Sequence, residues 1–510
     1  MLIISEIVEL KTVLDNIKSE PKQIGLVPTM GALHQGHISL IKKAIAECDA
    51  VIVSVFVNPL QFAPHEDLAR YPRSLKTDSQ LCKKLGVDVV FAPSPSEIGI
   101  LGDSATQTNT TIVMPPASMT AVLCSKYRPQ HFTGVATVVT KLFNIVQPNR
   151  AYFGQKDAQQ LAIVRRLVTD LNLSVTIVDC PIVRDASGLA ISSRNQYLTP
   201  VEKTQAAILY RSLQQAAIAF RKGVTDAKNL LEIVQAQLDA VPEVKIQYVE
   251  LVNPLTLQPL DQVKHTSLLA IAAYVGNTRL IDNIVLRQPI VAIDGPAGAG
   301  KSTVTRLLAK ELGLLYLDTG AMYRAVTWLV MDSQIDLDNE AAIANLIKDV
   351  QINLIPPNAP QLPVEVYVNG TEVTKAIRTP EITANVSTVA ALAAVRTELV
   401  KAQQQYGNRG GIVAEGRDIG TNVFPNAELK IFLTASPQER AKRRLLDLQN
   451  QGYENIDLQQ LEKEIVERDR KDSTRAISPL EKADDAIEIV TDNLSVSEVI
   501  AQIVKLYSNL

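Results

Sequence analysis

The chain of 510 residues carries 51 basic and 54 acidic side chains, for a formal net charge of -3 and a pI near 6.1. Hydrophobic residues make up 46% and charged residues 21%, which excludes a disordered chain and supplies apolar material for a large core. The near-neutral balance excludes a global positive field for nucleic acid or an anionic membrane, and the length implies two or three domains.

The N-terminal "MLIISEIVEL" sets Glu6 and Glu9 among apolar residues and has neither the basic start nor the small-residue cleavage site of a signal peptide. Strands are expected at "IGLVPT" (24–29), "AVIVSVFV" (50–57), "DVVFAP" (88–93) and "AYFG" (151–154), with helical patterns at 36–47, 74–85 and 157–170 between and after them. Strands spaced by helices predict parallel βαβ units. Two helices, 200–221 and 226–240, then precede strands "KIQYVELV", "LLAIAAYV" and "TRLIDNIVL", a smaller α+β part over 200–284. The run "LLAIAAYV" is far short of a membrane span. Cys48, Cys82, Cys124 and Cys180 form no CxxC pair, so neither a zinc ribbon nor a disulfide scaffold is expected, and a reducing cytoplasm fits best.

Polar residues gather at the ends of these strands. His34 and His37 in "PTMGALHQGHISLI" open a helix, where imidazoles can bond a nucleotide's phosphates; a metal pair and two unrelated surface histidines are the competing readings. "FVNPLQF" supplies Asn58 and Gln61, "YFGQKDAQQ" supplies Lys156, Asp157 and Gln160, and "LAISSRNQYL" supplies Ser192, Ser193 and Arg194. In a doubly wound sheet these strand ends face one crevice.

After a junction near 283–289 the second half restarts with a buried strand and a Gly-rich loop, "PIVAIDGPAGAGKST". Residues Gly295 to Ser302 fit G-x-x-x-x-G-K-[ST]: Gly295, Gly298 and Gly300 turn backbone N–H groups toward phosphates, Lys301 reaches their oxygens, and Ser302 can ligate Mg²⁺. A helix after Lys301, strand "LLYLDT", a helix from Ala321, a hairpin "VEVYVNGTEV" turning at Asn369 and Gly370, strands "GIVAEG" and "LKIFLTA", an arginine-rich helical stretch from Pro437 to Arg470 and strand "AIEIVT" follow. "DTGAMYR" places Asp318, Thr319, Tyr323 and Arg324 at a strand end, "EGRDIGT" places Arg417 and Asp418, and "ERDRKDSTR" places Arg468, Arg470, Asp472 and Arg475. Guanidinium groups from separate segments suit the summed charge of an acceptor phosphate and a transferring phosphoryl group. "RAKRRL" at 440–445, taken alone, reads as a solvated helix face. A non-catalytic P-loop regulator is the rival reading, and no N-K-x-D of a GTPase is present.

Residues 1 to about 284 resemble the pantothenate synthetase family through "LVPTMGALHQGH", "SVFVNPLQF", "DLARYPR", "RPQHFTGVATVVTKLFNIVQP", "YFGQKDAQQ", "ISSRNQYLT" and "NTRLIDN". The resemblance implies a Rossmann-like HIGH-motif nucleotidyltransferase fold that joins pantoate to β-alanine through pantoyl adenylate, releasing diphosphate and then AMP. A cytidylyltransferase with the same histidine motif would never release AMP. By resemblance His34 and His37 bind phosphate, with His37 the candidate catalytic residue and proton donor. Met30, Gly154, Lys156, Asp157, Val183, Ile191, Ser192, Ser193 and Arg194 complete the ATP site, with Asp157 on its magnesium side, and Gln61, Gln160 and Asn58 take pantoate or β-alanine. Where the family commonly reads L-E-G before R-P-x-H-F, this chain reads Leu123, Cys124, Ser125, which points to an altered lid or subunit contact.

Within a second domain expected over 285–510, residues from about 289 to 508 resemble bacterial cytidylate kinase through "IDGPAGAGKST", "LDTGAMYR", "EGRDIGTNVFPNAELKIFLTAS" and "RDRKDSTRAISPL", with an insert around "VYVNGTEVTKAIRT" that adenylate kinases lack. The resemblance implies a P-loop nucleoside monophosphate kinase using ATP and Mg²⁺ on CMP or dCMP. Lys301 is then catalytic, with Gly295, Gly298, Gly300, Ser302 and Thr303 around the ATP phosphates. Ser387, Arg396 and Asp418 would read cytosine; Tyr323, Arg324 and Arg417 would hold the acceptor phosphate; Asp472 would take a ribose hydroxyl with Arg468 and Arg475 nearby, and Thr319 also belongs to the CMP site. Asp418 suits cytosine, whose exocyclic amine donates where uracil has an acceptor. The partners implied are small molecules, with no nucleic acid, no membrane, and a homodimer through the first half.

Overall fold

The computed structural model describes residues 1–63, 67–100, 110–348, 350–355, 364–450, 456–475 and 477–510. The chain divides into two compact units, Met1–Leu286 and Arg287–Leu510.

In the first unit, strands β1 (Leu2–Ile4), β2 (Ile24–Thr29), β3 (Ala50–Val55), β4 (Val89–Phe91), β5 (Arg150–Gly154) and β6 (Thr176–Cys180) form one sheet in the order β1-β4-β3-β2-β5-β6. Every pairing is parallel. Helices cover both faces of such a sheet, so its inner strands read as unbroken apolar runs. Leu26, Ile52 and Phe91 are sealed in the core on one face, and Val27, Val51, Val53 and Val90 on the other. Each such side chain contributes roughly 1.5–3 kcal/mol relative to exposure. The strand order reverses at β2, between β3 and β5, so a crevice opens beyond the carboxyl ends of these strands.

The smaller part stacks helices Pro200–Ala206, Ile208–Arg221 and Ala227–Asp239 on an antiparallel sheet of β7 (Val244–Val252), β8 (Ser267–Val275) and β9 (Thr278–Leu286). The helix expected over 200–221 is two segments: Ala207 keeps helical dihedrals, φ -61° and ψ -17°, but the ladder breaks there. β9 runs on through Leu286, which pairs with Ser267.

In the second unit, β10 (Ile290–Asp294), β11 (Leu315–Asp318), β15 (Ile412–Gly416), β16 (Leu429–Thr434) and β17 (Ile487–Val490) form a parallel sheet in the order β11-β15-β10-β16-β17. Between β11 and β15 the chain adds a small antiparallel sheet of β12 (Ile352–Ile355), β13 (Glu365–Val368) and β14 (Thr371–Glu372). Strand period puts Ile290 and Ala292 in the core on one face of the main sheet and Val291 and Ile293 in the core on the other. The β13–β14 hairpin turns at Asn369 (φ 48°) and Gly370 (φ 84°), both in the left-handed region as a type I′ turn requires. The arginine-rich stretch holds two helices, Pro437–Asn450 and Leu458–Thr474; residues 451–455, inside the single run expected there, lie outside the described residues. No described helix is long and apolar enough to cross a membrane.

Candidate active sites

In the first unit, all the residues singled out for the nucleotide and the two small substrates line one cavity of about 260 Å³ beyond the carboxyl ends of the sheet. Met30, His34 and His37 follow β2, Asn58 and Gln61 follow β3, and Gly154 through Gln160 close β5. Val183 and Ile191 through Arg194 follow β6.

His34 caps helix Gln35–Glu47: its Nδ1 accepts from the Gly36 amide at 3.1 Å, and the His34 amide donates to Nδ1 of His37 at 3.3 Å. The rings stack with centroids 4.0 Å apart. Because each Nδ1 accepts a backbone proton, each neutral imidazole carries its own proton on Nε2. Burial first, then Lys156, lowers the pKa of His34 to about 4; burial, then His34 and Lys156, lowers that of His37 to about 3. The pair is therefore neutral at physiological pH, two N–H donors at a helix N-terminus beside the Lys156 ammonium. Such a group suits phosphate oxygens without placing three cations together.

Asn58 is 2% exposed and donates to Gln61 Oε1 (3.2 Å) and Gly134 O (3.1 Å), while its own oxygen accepts from the Leu60 amide (3.0 Å). Its amide protons and its oxygen are thus spent within the unit, one of them on holding Gln61. Sequence reasoning assigned no role to Arg128 and His131 of "RPQHF", both of which line the cavity. His131 Nδ1–H donates to Gln61 O at 2.7 Å and Nε2 faces Arg128 Nη1 at 3.2 Å. Burial, then Arg128, lowers the pKa of His131 to about 3, so it also stays neutral. The signal was present, since an arginine stands three residues before the histidine that opens helix His131–Val146, but only folding brings them against Gln61. Cys124 and Ser125, expected at a lid or subunit contact, are buried inside the unit. Cys124 Sγ meets the Tyr248 hydroxyl (3.2 Å) and Arg279 Nη2 (3.3 Å), and Ser125 accepts from Gln159 at 2.9 Å.

In the second unit the loop after β10 is shaped by Gly295, whose φ is +147°; a Cβ there would lie 1.9 Å from the Leu433 carbonyl oxygen. Lys301 opens helix Lys301–Leu312 and donates to the carbonyls of Gly295 and Pro296, both at 2.8 Å. Burial, then repulsion from Arg417, holds its pKa well below the usual lysine range, with Glu415 and Asp294 opposing. Burial, reinforced by Asp318, raises that of Glu415.

The acceptor side is a lattice of ion pairs. Arg396, over the Tyr323 ring at 5.5 Å, pairs with Asp418, which also takes Arg475 (3.7 Å) and the Asn422 amide (3.1 Å). Arg417 pairs with Asp472 at 3.0 Å, Arg324 with Asp318 at 3.4 Å, and Thr319 donates to Glu415 O at 2.6 Å. Beneath them buried Asp294 accepts the amides of Ile419 (2.8 Å) and Gly420 (2.7 Å); burial pushes its pKa up to about 6 against those two bonds. Arg324 Nε, Arg396 Nε and Arg475 Nη2 are buried without a hydrogen-bond partner among the described residues. Buried donors of this kind call for an anionic or polar ligand. Arg468 lies close to Arg417 and Asp472, and burial lowers its pKa. Ser387 stands exposed on helix Pro380–Val389, with no hydrogen bond to the cluster.

Arg440 and Arg443 contradict the solvated-face expectation for "RAKRRL". Arg440 is 3% exposed, forks onto Asp469 (3.0 and 2.6 Å) and donates to the Ala297 and Ala435 carbonyls, and Arg443 bonds Thr491. No cluster of three or more His, Cys, Asp or Glu able to hold a metal occurs among the described residues. Magnesium with a nucleotide keeps most of its waters and takes phosphate oxygens, so one hydroxyl and a nearby carboxylate suffice. Ser302, exposed at the start of its helix and near enough to Glu415 to restrain that group's pKa, fits this.

The pantoate-β-alanine ligase family profile matches residues 2–285, and the cytidylate kinase profile matches residues 291–509. The chain is 60% identical to proteins named bifunctional pantoate ligase/cytidylate kinase from Trichormus variabilis and Synechocystis. The alignments span 95% of this chain and 91% and 95% of those proteins, respectively. The crystal structure of pantothenate synthetase from Thermus thermophilus is matched over its whole length and 56% of this chain, at 42% identity and a TM-score of 0.52. Neither the cytidylyltransferase nor the regulator alternative survives these matches. The chain therefore belongs to the pantoate-β-alanine ligase family over its first unit and to the cytidylate kinase family over its second, an ATP-using bifunctional enzyme of pantothenate synthesis and CMP phosphorylation.

Proposed function

We propose that the first unit works by adenylate formation in the cavity beyond β2 and β5. A pantoate carboxylate oxygen bonds to the α-phosphorus of ATP as the bond to the β-phosphate oxygen breaks, and diphosphate leaves. The β-alanine amine then attacks the pantoyl carbonyl carbon, the bond to AMP breaks, and the amine proton passes to solvent. No protein nucleophile takes part, so the rate depends on placement and on donors aimed at developing charge. His34 and His37 donate Nε2–H bonds to phosphate oxygens, with Lys156, Ser192, Ser193 and Arg194 completing the charge balance. Their neutrality favours this over proton donation by His37. Gln61 and Gln160 hold pantoate, and Asn58 and His131 hold Gln61. The observation that carries this reading is the histidine pair with both Nδ1 atoms committed to the backbone.

In the second unit an acceptor phosphate oxygen of CMP or dCMP attacks the γ-phosphorus of ATP, and ADP leaves. Lys301 exchanges its two loop carbonyls for phosphate oxygens, Arg324 and Arg417 hold the acceptor phosphate, and Asp418 accepts from the cytosine amine. Magnesium, held through Ser302 here and on the Asp157 side of the first site, would neutralise phosphate charge. Four free cysteines favour the cytoplasm, and a homodimer through the first unit follows from resemblance alone.

The test is one incubation of the purified chain with ATP, Mg²⁺, pantoate, β-alanine and CMP, with products separated. AMP with pantothenate, and ADP with CDP, are expected in matched pairs. Diphosphate without AMP would overturn the first reading, and ADP without CDP the second.

A further inference from the structure

Two adjacent residues of β9, Asp282 and Asn283, meet both nucleotide-side loops of the first unit. They are 2% and 5% exposed, and their strand neighbours Arg279, Leu280 and Ile281 line the cavity. The Asn283 side-chain amide donates to Gln155 O at 3.0 Å and to Lys156 O at 2.9 Å, fixing the 3-10 turn Gln155–Asp157. Asp282 takes Arg184 through both oxygens, at 2.6 and 2.9 Å. Arg184 also donates to Gly188 O at 3.0 Å and lies 3.6 Å over the Tyr210 ring. It rides on a hairpin that Ile191 N closes by donating to Val183 O at 2.9 Å, and that leads directly into Ser192–Arg194.

The geometry points to Asp282 and Asn283 as a positioning pair for ATP in the ligase reaction, an inference that rests on the adenylate-forming reading of the cavity. Asn283 sets the turn that presents Lys156, and Asp282 sets the hairpin that presents Val183, Ile191 and the serines. One strand thus holds the two loops in register. Neither residue touches a reacting atom; each acts through a loop, as outer partners do for ligands they orient. The two end groups are not interchangeable: of this pair only the amide can donate to two carbonyls, and only the carboxylate can accept a guanidinium fork through both oxygens.

The isosteric variants Asn283→Asp and Asp282→Asn therefore keep volume and remove the interaction. Each is expected to raise the ATP KM of AMP formation roughly ten- to hundredfold and leave the pantoate KM within about twofold. CMP phosphorylation by the same sample stays unchanged and reports the amount of chain assayed. Amide hydrogen exchange quickens over 155–157 in the first variant and over 183–194 in the second. KM does not depend on how many molecules are folded, so a lower kcat at unchanged ATP KM, or wild-type values in both variants, would overturn the assignment. Arg184→Lys breaks the same fork from its other side and replaces Asp282→Asn if that chain does not fold, with the same KM rise expected. If the unaltered chain releases no AMP, the adenylate reading falls and takes the pair with it. If it does release AMP while both variants keep their ATP KM, only the pair falls.

Discussion

The site proposed for the first unit presents neutral imidazoles, and the one proposed for the second presents guanidinium groups. All five histidines lie in the first 286 residues and none beyond, while the acceptor side of the second unit is built from Arg324, Arg396, Arg417, Arg468 and Arg475. Desolvation explains the contrast. A buried neutral donor costs little once its other nitrogen is bonded, and backbone amides meet that condition for His34 and His37. A buried guanidinium demands a carboxylate, and Arg396 and Arg440 have theirs in Asp418 and Asp469, while the partly buried Arg417 pairs with Asp472. The kinase site is therefore a network in which removing one partner strands a charge, whereas the ligase histidines are anchored on backbone groups and removing one strands none.

Removing the central donor of each site gives the largest effect and tests whether the two chemistries are separate. His37→Ala should lower AMP-linked pantothenate formation about 100- to 1,000-fold and leave CMP phosphorylation within about twofold, and Lys301→Ala should do the reverse. Loss of both activities in either single variant would end the two-site picture.

The network argument is sharpened by Asp418→Asn. It unpairs Arg396 and Arg475 and replaces a pure acceptor with an amide, so kcat/KM for CMP should fall roughly 10- to 100-fold, and the preference for CMP over UMP should shrink with it. An unchanged CMP-to-UMP ratio would remove Asp418 from base recognition.

How much of this was legible follows from how local each signal is. "AVIVSVFV" and "PIVAID" announced parallel strands because both faces of such strands are buried, and residues such as His34, Asn58 and Lys156 could be grouped in advance because each follows a strand end within a few positions. The commitment of the Asn58 amide to Gln61 and Gly134 was not legible, since Gly134 lies 76 positions away. Arg440 was misjudged for the same reason: its partners Asp469 and Ala297 are 29 and 143 positions distant, and nothing in "RAKRRL" separates an arginine that turns inward from Lys442 and Arg444, which stay exposed. Asp282 and Asn283 were visible only as part of "NTRLIDN", because an antiparallel strand gives no hint of which loops will reach its side chains.

Acid should separate the units by a smaller amount. The folded pKa values of His34, His37 and His131, about 4, 3 and 3, lie below the ordinary 6.5. The unfolded chain then binds more protons, and their stabilisation is present above pH 6.5 and lost as pH falls toward 3 to 4. Asp294 has the opposite sign: raised from 3.8 to about 6, it contributes stability that is present below 3.8 and lost as pH rises through 6. Heating at pH 7.5 and pH 5.0, then assaying both activities at pH 7.5, should show the ligase inactivation midpoint drop by about 5–10 °C on acidification and the kinase midpoint by less. Equal drops would contradict the assignment of neutral histidines to one unit alone.

The smallest expected effect is that of cutting the chain between the units, and its position matters to a few residues. β9 pairs through Leu286 with Ser267, so the first unit needs its strand complete to that residue. From Arg287 onward the bonds serve the second unit: Arg287 forks onto Glu428 (3.1 and 2.9 Å), Gln288 O accepts the Gly411 amide, and Ile290 N donates to Glu428 Oε2. A break between Leu286 and Arg287 spares all of these, and each piece should keep its activity within about twofold, whereas mutual loss of folding would refute the boundary. Moving the break to just after Asn283 strips Ile284, Val285 and Leu286 from β9 and frays the strand next to the pair that holds Lys156. The ligase piece should then lose ATP affinity while the kinase piece, extended by those same residues, does not.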